Sequence, residues 1–521
     1  MAVATLASRL TGFVRNVVLV LLIGGTAAAV GGQAFGVSNE LPTQIYGLIA
    51  GGLLGAVLVP DIVRATRNER HDDLNRLVTM TLTAALALTA LLTWAAPGLV
   101  RLLALGWPDE WLELATSMAY WCIPQVFFFV VYAVLSQVLN AHHNFAPAAW
   151  APVLSNLIAL AGLGAFALVF RQASDSVDGW TSPMVTVLAG TATLGVVAQS
   201  ALLLFFLRKL PFSLRIRFGV RGLASTGRTA GIAFFGIIAG QLAFLVVSNV
   251  ANAAGAQLHA AGTDGASLNS LNNAYLVSLL PHGVFAVAIT TAVFTRMSHH
   301  VEERRRDDFN SDLSTALQRI AYISGLFTVV LVAFGRLIGS VLWNSEIIGD
   351  LIALLSIGLS AFSQLYALNR AALALRSGSS VFLTQVIVAA ITAIGAIGAM
   401  LAPADYTVPI IAGATSAANI VGYLLALRLI SRTDHSEQSG FRARAVLRSH
   451  LPITLTAVLL STAGWAAMHF AFPVPGSWWI RVIELCIAVA VATAAFVGLA
   501  WLLGDRTIRE LFSRQSSRQR P

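Results

Sequence analysis

Two arginines interrupt the first apolar run of the chain, within Ser8-Arg9-Leu10-Thr11-Gly12-Phe13-Val14-Arg15-Asn16. At about 100° per residue, a helix brings Arg9, Gly12, Arg15 and Asn16 into an arc of about 120°, one polar stripe with a glycine in it. Ionisable groups at membrane depth are costly and face a cavity or a partner, so they are the first candidates for chemistry. Arg9 lies within about two turns of the helix start, and two readings stay open: its side chain snorkels to the interface, or it serves a site. Arg15 lies roughly 20 Å along the helix, near the middle of a bilayer. It either lines a polar cavity or sits in a structural ion pair.

The second apolar run offers a counter-charge at Glu40, followed by Pro42, Gln44 and Tyr46. Pro42 has no N–H and removes a helical hydrogen bond, which is tolerated where a helix borders a cavity. A pair between Glu40 and Arg15 reads either as a gate or as mutual neutralisation. The eighth run carries Asn272, Asn273, Tyr275, Ser278, Pro281 and His282, where the histidine is either a hydrogen-bonded structural group or a proton carrier. The seventh carries Gln241, Ser248, Asn249 and Asn252, which fit an interhelical polar seam or a substrate surface. The residues expected to line or gate a cavity are Asn16, Glu40, Gln44, Tyr46, Gln241, Asn249, Asn272, Asn273, Ser278 and His282. Chemistry of other kinds finds no support. His142-His143 and His299-His300 lack acidic or cysteine ligands at metal spacing, and Cys122 and Cys486 both lie in apolar runs. Gly31-Gly32 and Gly51-Gly52 lack a phosphate-loop pattern and read as close packing or span ends. The chain is expected to be no enzyme and to carry no metal or cofactor.

The frame that positions these residues must be dissolved in lipid. Hydrophobic residues make up 57% of the 521 and charged residues 11%, against roughly 25% charged in an ordinary globular protein; the mean hydropathy is +0.77. Fourteen runs have the length of about 20 residues that a membrane helix needs, from 3–25 to 479–503. Glu40 and Pro42 interrupt the second, 34–62, and Pro281 and His282 interrupt the eighth, 270–297. The net charge of +9 comes from basic residues on one side of these runs. Only Arg101, Arg171, Arg336 and Arg481 fall on the other side, with Arg9 and Arg15 inside the first run. The positive-inside rule then puts both termini in the cytoplasm. Arg9 and Arg15 also interrupt the first run where a cleavable signal peptide would need an apolar stretch. Basic loops facing anionic lipid headgroups account for the charge. A nucleic-acid partner is not expected, because no aromatic residues interleave with Arg304-Arg305-Arg306.

The two halves repeat. Asp72-Asp73-Leu74-Asn75 returns as Asp307-Asp308-Phe309-Asn310 and Arg101-Leu102 as Arg336-Leu337, while Tyr132-Ala133 returns one residue out of step as Tyr366-Ala367. The expected architecture is an all-α polytopic membrane protein of about 14 transmembrane helices. It comprises two six-helix lobes related by a pseudo-two-fold along the membrane normal, plus two C-terminal helices. The divisions are an N-lobe at 1–207, a basic linker at 208–224, a C-lobe at 225–430, a loop at 431–450, two spans at 451–503 and a basic tail at 504–521. Such lobes supply a cleft, and alternating access is the physical default.

Ser8-Arg9-Leu10-Thr11-Gly12-Phe13-Val14-Arg15, then Asn39-Glu40-Leu41-Pro42 and Val57-Leu58-Val59-Pro60, resembles the opening of the MurJ (MviN) family of lipid II flippases. Leu139-Asn140-Ala141-His142, Phe145-Ala146-Pro147-Ala148 and Ala151-Pro152-Val153-Leu154-Ser155-Asn156 are similar to its connection of spans four and five, and Leu280-Pro281-His282-Gly283-Val284 to its span-eight motif. The family belongs to the multidrug/oligosaccharidyl-lipid/polysaccharide exporter superfamily. The resemblance implies export of lipid II across the bacterial plasma membrane for cell wall biogenesis, with cell-wall synthesis proteins as partners. It implies that Arg9 and Arg15 engage the substrate diphosphate, whose oxygens suit the planar donors of guanidinium groups. It also implies a groove for the polyprenyl tail on spans thirteen and fourteen. The chain departs from the family pattern at Tyr46 and Gly47, where many members are basic, and at Leu276-Val277-Ser278-Leu279, where many have an arginine and an acid. Gln33 stands where an acidic residue is common, and the sodium-site carboxylates expected on spans seven and eleven are absent, with only polar groups such as Asn249 and Gln385 nearby. Two other functions remain beside the flippase: an exporter of another polyprenyl-linked glycan or amphipathic drug, and a non-transporting scaffold of the cell-wall machinery.

Overall fold

A computed structural model describes residues 2–50, 62, 65–66, 71–171, 176–209, 215–219, 227–433, 441–470 and 476–503. The Val57-Leu58-Val59-Pro60 motif, Gly51-Gly52, the tail 504–521 and parts of the 208–224 and 431–450 segments lie outside them. The described residues are helical without strands. Eleven helices are long and apolar enough to cross a membrane, or thirteen if each of two bent pairs is one span, so the described residues do not reach the expected fourteen.

The chain divides into two compact units, Met1–Asn269 and Ser270–Pro521. The first holds α1 (Ala2–Ile23), α2 (Val30–Ile49), α3 (His71–Trp94), α4 (Ala96–Leu103), α5 (Asp109–Cys122), α6 (Gln125–Ala141), α7 (Ala146–Phe170), α8 (Ser182–Leu207) and α9 (Gly227–Ala260). Gly24 closes α1 with φ of +80°, a left-handed turn that a side chain would strain. Pro42 sits inside α2 without ending it. The Gly31 and Gly32 pair serves close packing: a Cβ on Gly31 would enter the Trp180 ring, and one on Gly32 would meet the carbonyl of Gly24. The α7–α8 seam works the same way, since Gly162 lies against Thr191 and Gly195 against the Ser155 carbonyl. Leu74, Val130, Val134, Leu135, Val138 and Leu203 form the core behind that seam.

The second unit runs from α10 (Leu268–Ser278), which begins at the division, through α11 (Val287–Glu302), α12 (Arg306–Ala333), α13 (Gly335–Trp343), α14 (Glu346–Ser356), α15 (Leu359–Ala374), α16 (Gly378–Ala399) and α17 (Ala404–Thr433) to α18 (Ala443–Phe470) and α19 (Trp478–Leu502). Between α10 and α11 the chain bends by 45°, as the Pro281-His282 interruption leads one to expect. There the Val287 N–H reaches back to the His282 carbonyl, a π-helical turn that absorbs the break. Phe309, Leu313, Leu317, Leu368 and Leu427 are central to its core.

The internal repeat is visible in both units. Asp72 and Asp73 stand in the first turn of α3, Asp307 and Asp308 in the first turn of α12, where carboxylates favour the helix dipole. Each long helix is followed by a short one whose arginine pairs onward: Arg101 of α4 to Asp109 at 3.1 Å, and Arg336 of α13 to Asp350 of α14 through two bonds of 2.6 and 2.9 Å.

Candidate substrate-binding cavity

Arg15 lies half-buried on α1, in the wall of a cavity of about 260 Å³ inside the first unit. The other helices supply Phe35, Asn39 and Thr43 from α2, Gln125 and Phe129 from α6, Ser155 and Asn156 from α7, and Thr191 and Gln199 from α8. These polar groups interrupt largely apolar helices, and packing turns them toward one space. Asn156 is fixed by donating from Nδ2 to the Ser8 carbonyl at 3.1 Å and to Thr11 Oγ1 at 3.3 Å, which ties α7 to the stripe that carries Arg9 and Arg15. Gln125 Nε2 donates to Thr193 Oγ1 at 3.0 Å and to Asn39 Oδ1 at 3.3 Å. No carboxylate lines this cavity among the described residues. The guanidinium is thus surrounded by neutral dipoles, an arrangement that attracts an anionic group.

The other expected residues are placed variously. Arg9 is exposed on α1 and Asn16 half-buried beside Arg15. Glu40 accepts from Gln44 Nε2 at 2.5 Å; no ion pair within 4.0 Å joins it to Arg15 among the described residues, so the mutual-neutralisation reading is not what the geometry supports. Tyr46 packs on Phe129, with ring centroids 5.3 Å apart, and Gln241 approaches Gly47. Asn249 is engaged with backbone: Nδ2 donates to the Leu102 and Leu245 carbonyls at 2.8 and 2.9 Å, and Oδ1 accepts from the Leu105 N–H at 2.8 Å. With Ser248 and Asn252 on the Leu103 carbonyl, it caps the C-terminal end of α4. In the second unit Asn272 is half-buried and Asn273 buried. Ser278 donates to the Ile352 carbonyl at 3.4 Å and accepts from Ser356 Oγ at 3.3 Å. His282, at the π-turn, has Nδ1 3.2 Å from Ser363 Oγ and its ring centroid 4.6 Å from that of Phe362.

Sequence reasoning named neutral groups on spans one, two, seven and eight but passed over those of α6, α7 and α8 that line this cavity. Gln125, Asn156 and Gln199 each carry the same signal as Arg15, a polar side chain deep in an apolar run. A larger cavity of about 740 Å³ was also missed. It opens in the second unit between α12, α14, α15, α17 and α18, lined by Gly325, Pro409, Ile453, Ala457 and Trp465 among others, with Arg336, Asp350 and Asp405 also in its lining. The Asp350 carboxylate, mainly through its hydrogen bond, raises the pKa of the Arg336 guanidinium above the usual arginine value.

Known proteins give a consistent comparison. The family model described as lipid II flippase MurJ matches residues 23–483. A probable lipid II flippase MurJ of Rhizobium tropici is 24% identical over 381 residues, 70% of this chain and 68% of that protein. One of Rhizobium meliloti (strain 1021) is 23% identical over 528 residues, 97% of this chain and 93% of its own. Among solved structures, a lipid II flippase MurJ in an inward closed conformation has a TM-score of 0.70 at 18% identity, covering 95% of this chain and 98% of that one.

Proposed function

The chain belongs to the MurJ family of lipid II flippases, and on that premise we propose that it carries lipid II from the inner to the outer face of the bacterial plasma membrane. The motion is alternating access, with both termini in the cytoplasm and the basic loops held against anionic lipid headgroups. The observation that carries this reading is Arg15. It is a cation at membrane depth with no hydrogen bond or ion pair within the described residues, on the wall of a polar cavity that no carboxylate lines. Structural arginines at that depth are paired, so an unpaired one signals a ligand with negative charge. The substrate diphosphate supplies it, binding Arg15 and, nearer the helix start, Arg9. The apolar cavity of the second unit suits the polyprenyl tail, because its wall of aliphatic and aromatic side chains offers an alternative to lipid.

In cells that depend on this protein alone for lipid II export, depletion is expected to accumulate precursor inside and stop growth. Arg15→Ala is expected to leave that growth defect uncorrected while accumulating to the normal level in the membrane. Full growth on Arg15→Ala would remove the residue from the mechanism.

A further inference from the structure

The cavity around Arg15 holds more than a site for a charge requires. Gln199 is 6% exposed and Ser155 7% exposed, yet neither side chain makes a hydrogen bond among the described residues, and both line the open space. Buried polar groups without partners are rare in folded proteins and mark a place that water or a ligand completes. A pocket for a bare anion needs donors alone. Amides and hydroxyls offer donors and acceptors together, and Gln125, Ser155, Asn156 and Gln199 form such a mixed set. The matching ligand carries hydroxyl and amide groups of its own. Phe129 adds an aromatic face on which the C–H side of a sugar ring can rest. At about 260 Å³ the space would take roughly nine waters at ~30 Å³ each, the scale of a single hexosamine.

We infer that this cavity receives the N-acetylated sugar joined to the diphosphate, with Arg15 at the junction of phosphate and ring and with Gln199 and Ser155 bonding the ring substituents. The inference rests on the flippase reading above and assigns to α7 and α8 the recognition of sugar, as distinct from charge. It makes Gln199 and Ser155 specificity residues for the precursor's head.

The test is calorimetric titration of the purified full-length protein with N-acetylglucosamine 1-phosphate and, separately, with inorganic pyrophosphate. The wild type is expected to bind both. Gln199→Leu and Ser155→Ala should each weaken the sugar phosphate by roughly two- to tenfold, the value of one neutral hydrogen bond, and leave pyrophosphate unchanged; Arg15→Gln should weaken both. Failure of the wild type to bind the sugar phosphate, or wild-type affinity for it in both Gln199→Leu and Ser155→Ala, overturns the inference. Movement of lipid II by the wild type in vesicles scores the flippase reading on its own. Sugar-phosphate binding without lipid II movement overturns that reading, whereas lipid II movement with unchanged sugar-phosphate binding in both variants overturns only the present one.

Discussion

Gly162→Ala probes whether the α7–α8 seam holds the cavity wall in place. A Cβ built on Gly162 overlaps Thr191 Oγ1 and Cβ and comes to 2.8 Å from its Cγ2, where carbon atoms ordinarily rest at about 3.5–4.0 Å. Thr191 cannot swing aside cheaply. Its Cβ is itself in the way, and its hydroxyl donates to the Val187 carbonyl at 2.6 Å. The helices must therefore part by around an ångström, and overpacking of this kind costs about 1–3 kcal/mol. For a unit of this size that is a fall in melting temperature of roughly 2–4 °C per kcal/mol. Thermal unfolding of the purified protein in detergent reads it directly. Gly164→Ala, two residues along the same helix with nothing within 4 Å of the added atom, is the control. It should match or exceed the wild type, because alanine is favoured over glycine in a helix by about 1 kcal/mol. Adding Thr191→Gly to Gly162→Ala should recover about 1 kcal/mol or more despite the helix cost of the second glycine. Unfolding of Gly162→Ala at the wild-type temperature, or no recovery in the double variant, would refute the packing argument.

Arg15→Gln should keep or raise the melting temperature, since no bond among the described residues is lost, while slowing lipid II movement by about tenfold or more, the value of a charge-assisted hydrogen bond. Asn249→Ala should do the reverse: it strips partners from the Leu102 carbonyl and the Leu105 N–H. That lowers stability by about 1–3 kcal/mol and leaves transport per folded molecule unchanged. Arg336→Ala should cost at most about 1 kcal/mol, because the pair with Asp350 is partly exposed. A raised guanidinium pKa means its contribution is complete below the ordinary arginine value and is lost only as pH rises through the folded one. The melting deficit of that variant should accordingly be the same at pH 7 and pH 9.

Apolar run length made the helical frame legible, because each span carries its own signal. The repeat was legible too, down to Asp72-Asp73 and Asp307-Asp308, which begin equivalent helices. Arg15 stood out because a guanidinium in an apolar run has few benign explanations. What stayed hidden depends on azimuth and register between helices that are far apart in sequence. Nothing local tells that Gln199 turns to the same space as Arg15, or that Asn249 spends its amide on the end of α4. The expected pairing of Glu40 with Arg15 failed for the same reason: proximity of two runs in sequence does not fix which faces meet, and Glu40 is satisfied one turn along its own helix by Gln44.

The central claim is that the guanidinium of Arg15, without a partner among the described residues, serves translocation of lipid II. It is tested most directly by reconstituting the protein into vesicles with labelled lipid II and following the label to the opposite leaflet. Wild-type protein should expose it, and Arg15→Gln, equally folded and equally incorporated, should do so at least about tenfold more slowly. Equal rates for the two proteins, or no movement beyond that of protein-free vesicles, would contradict the account.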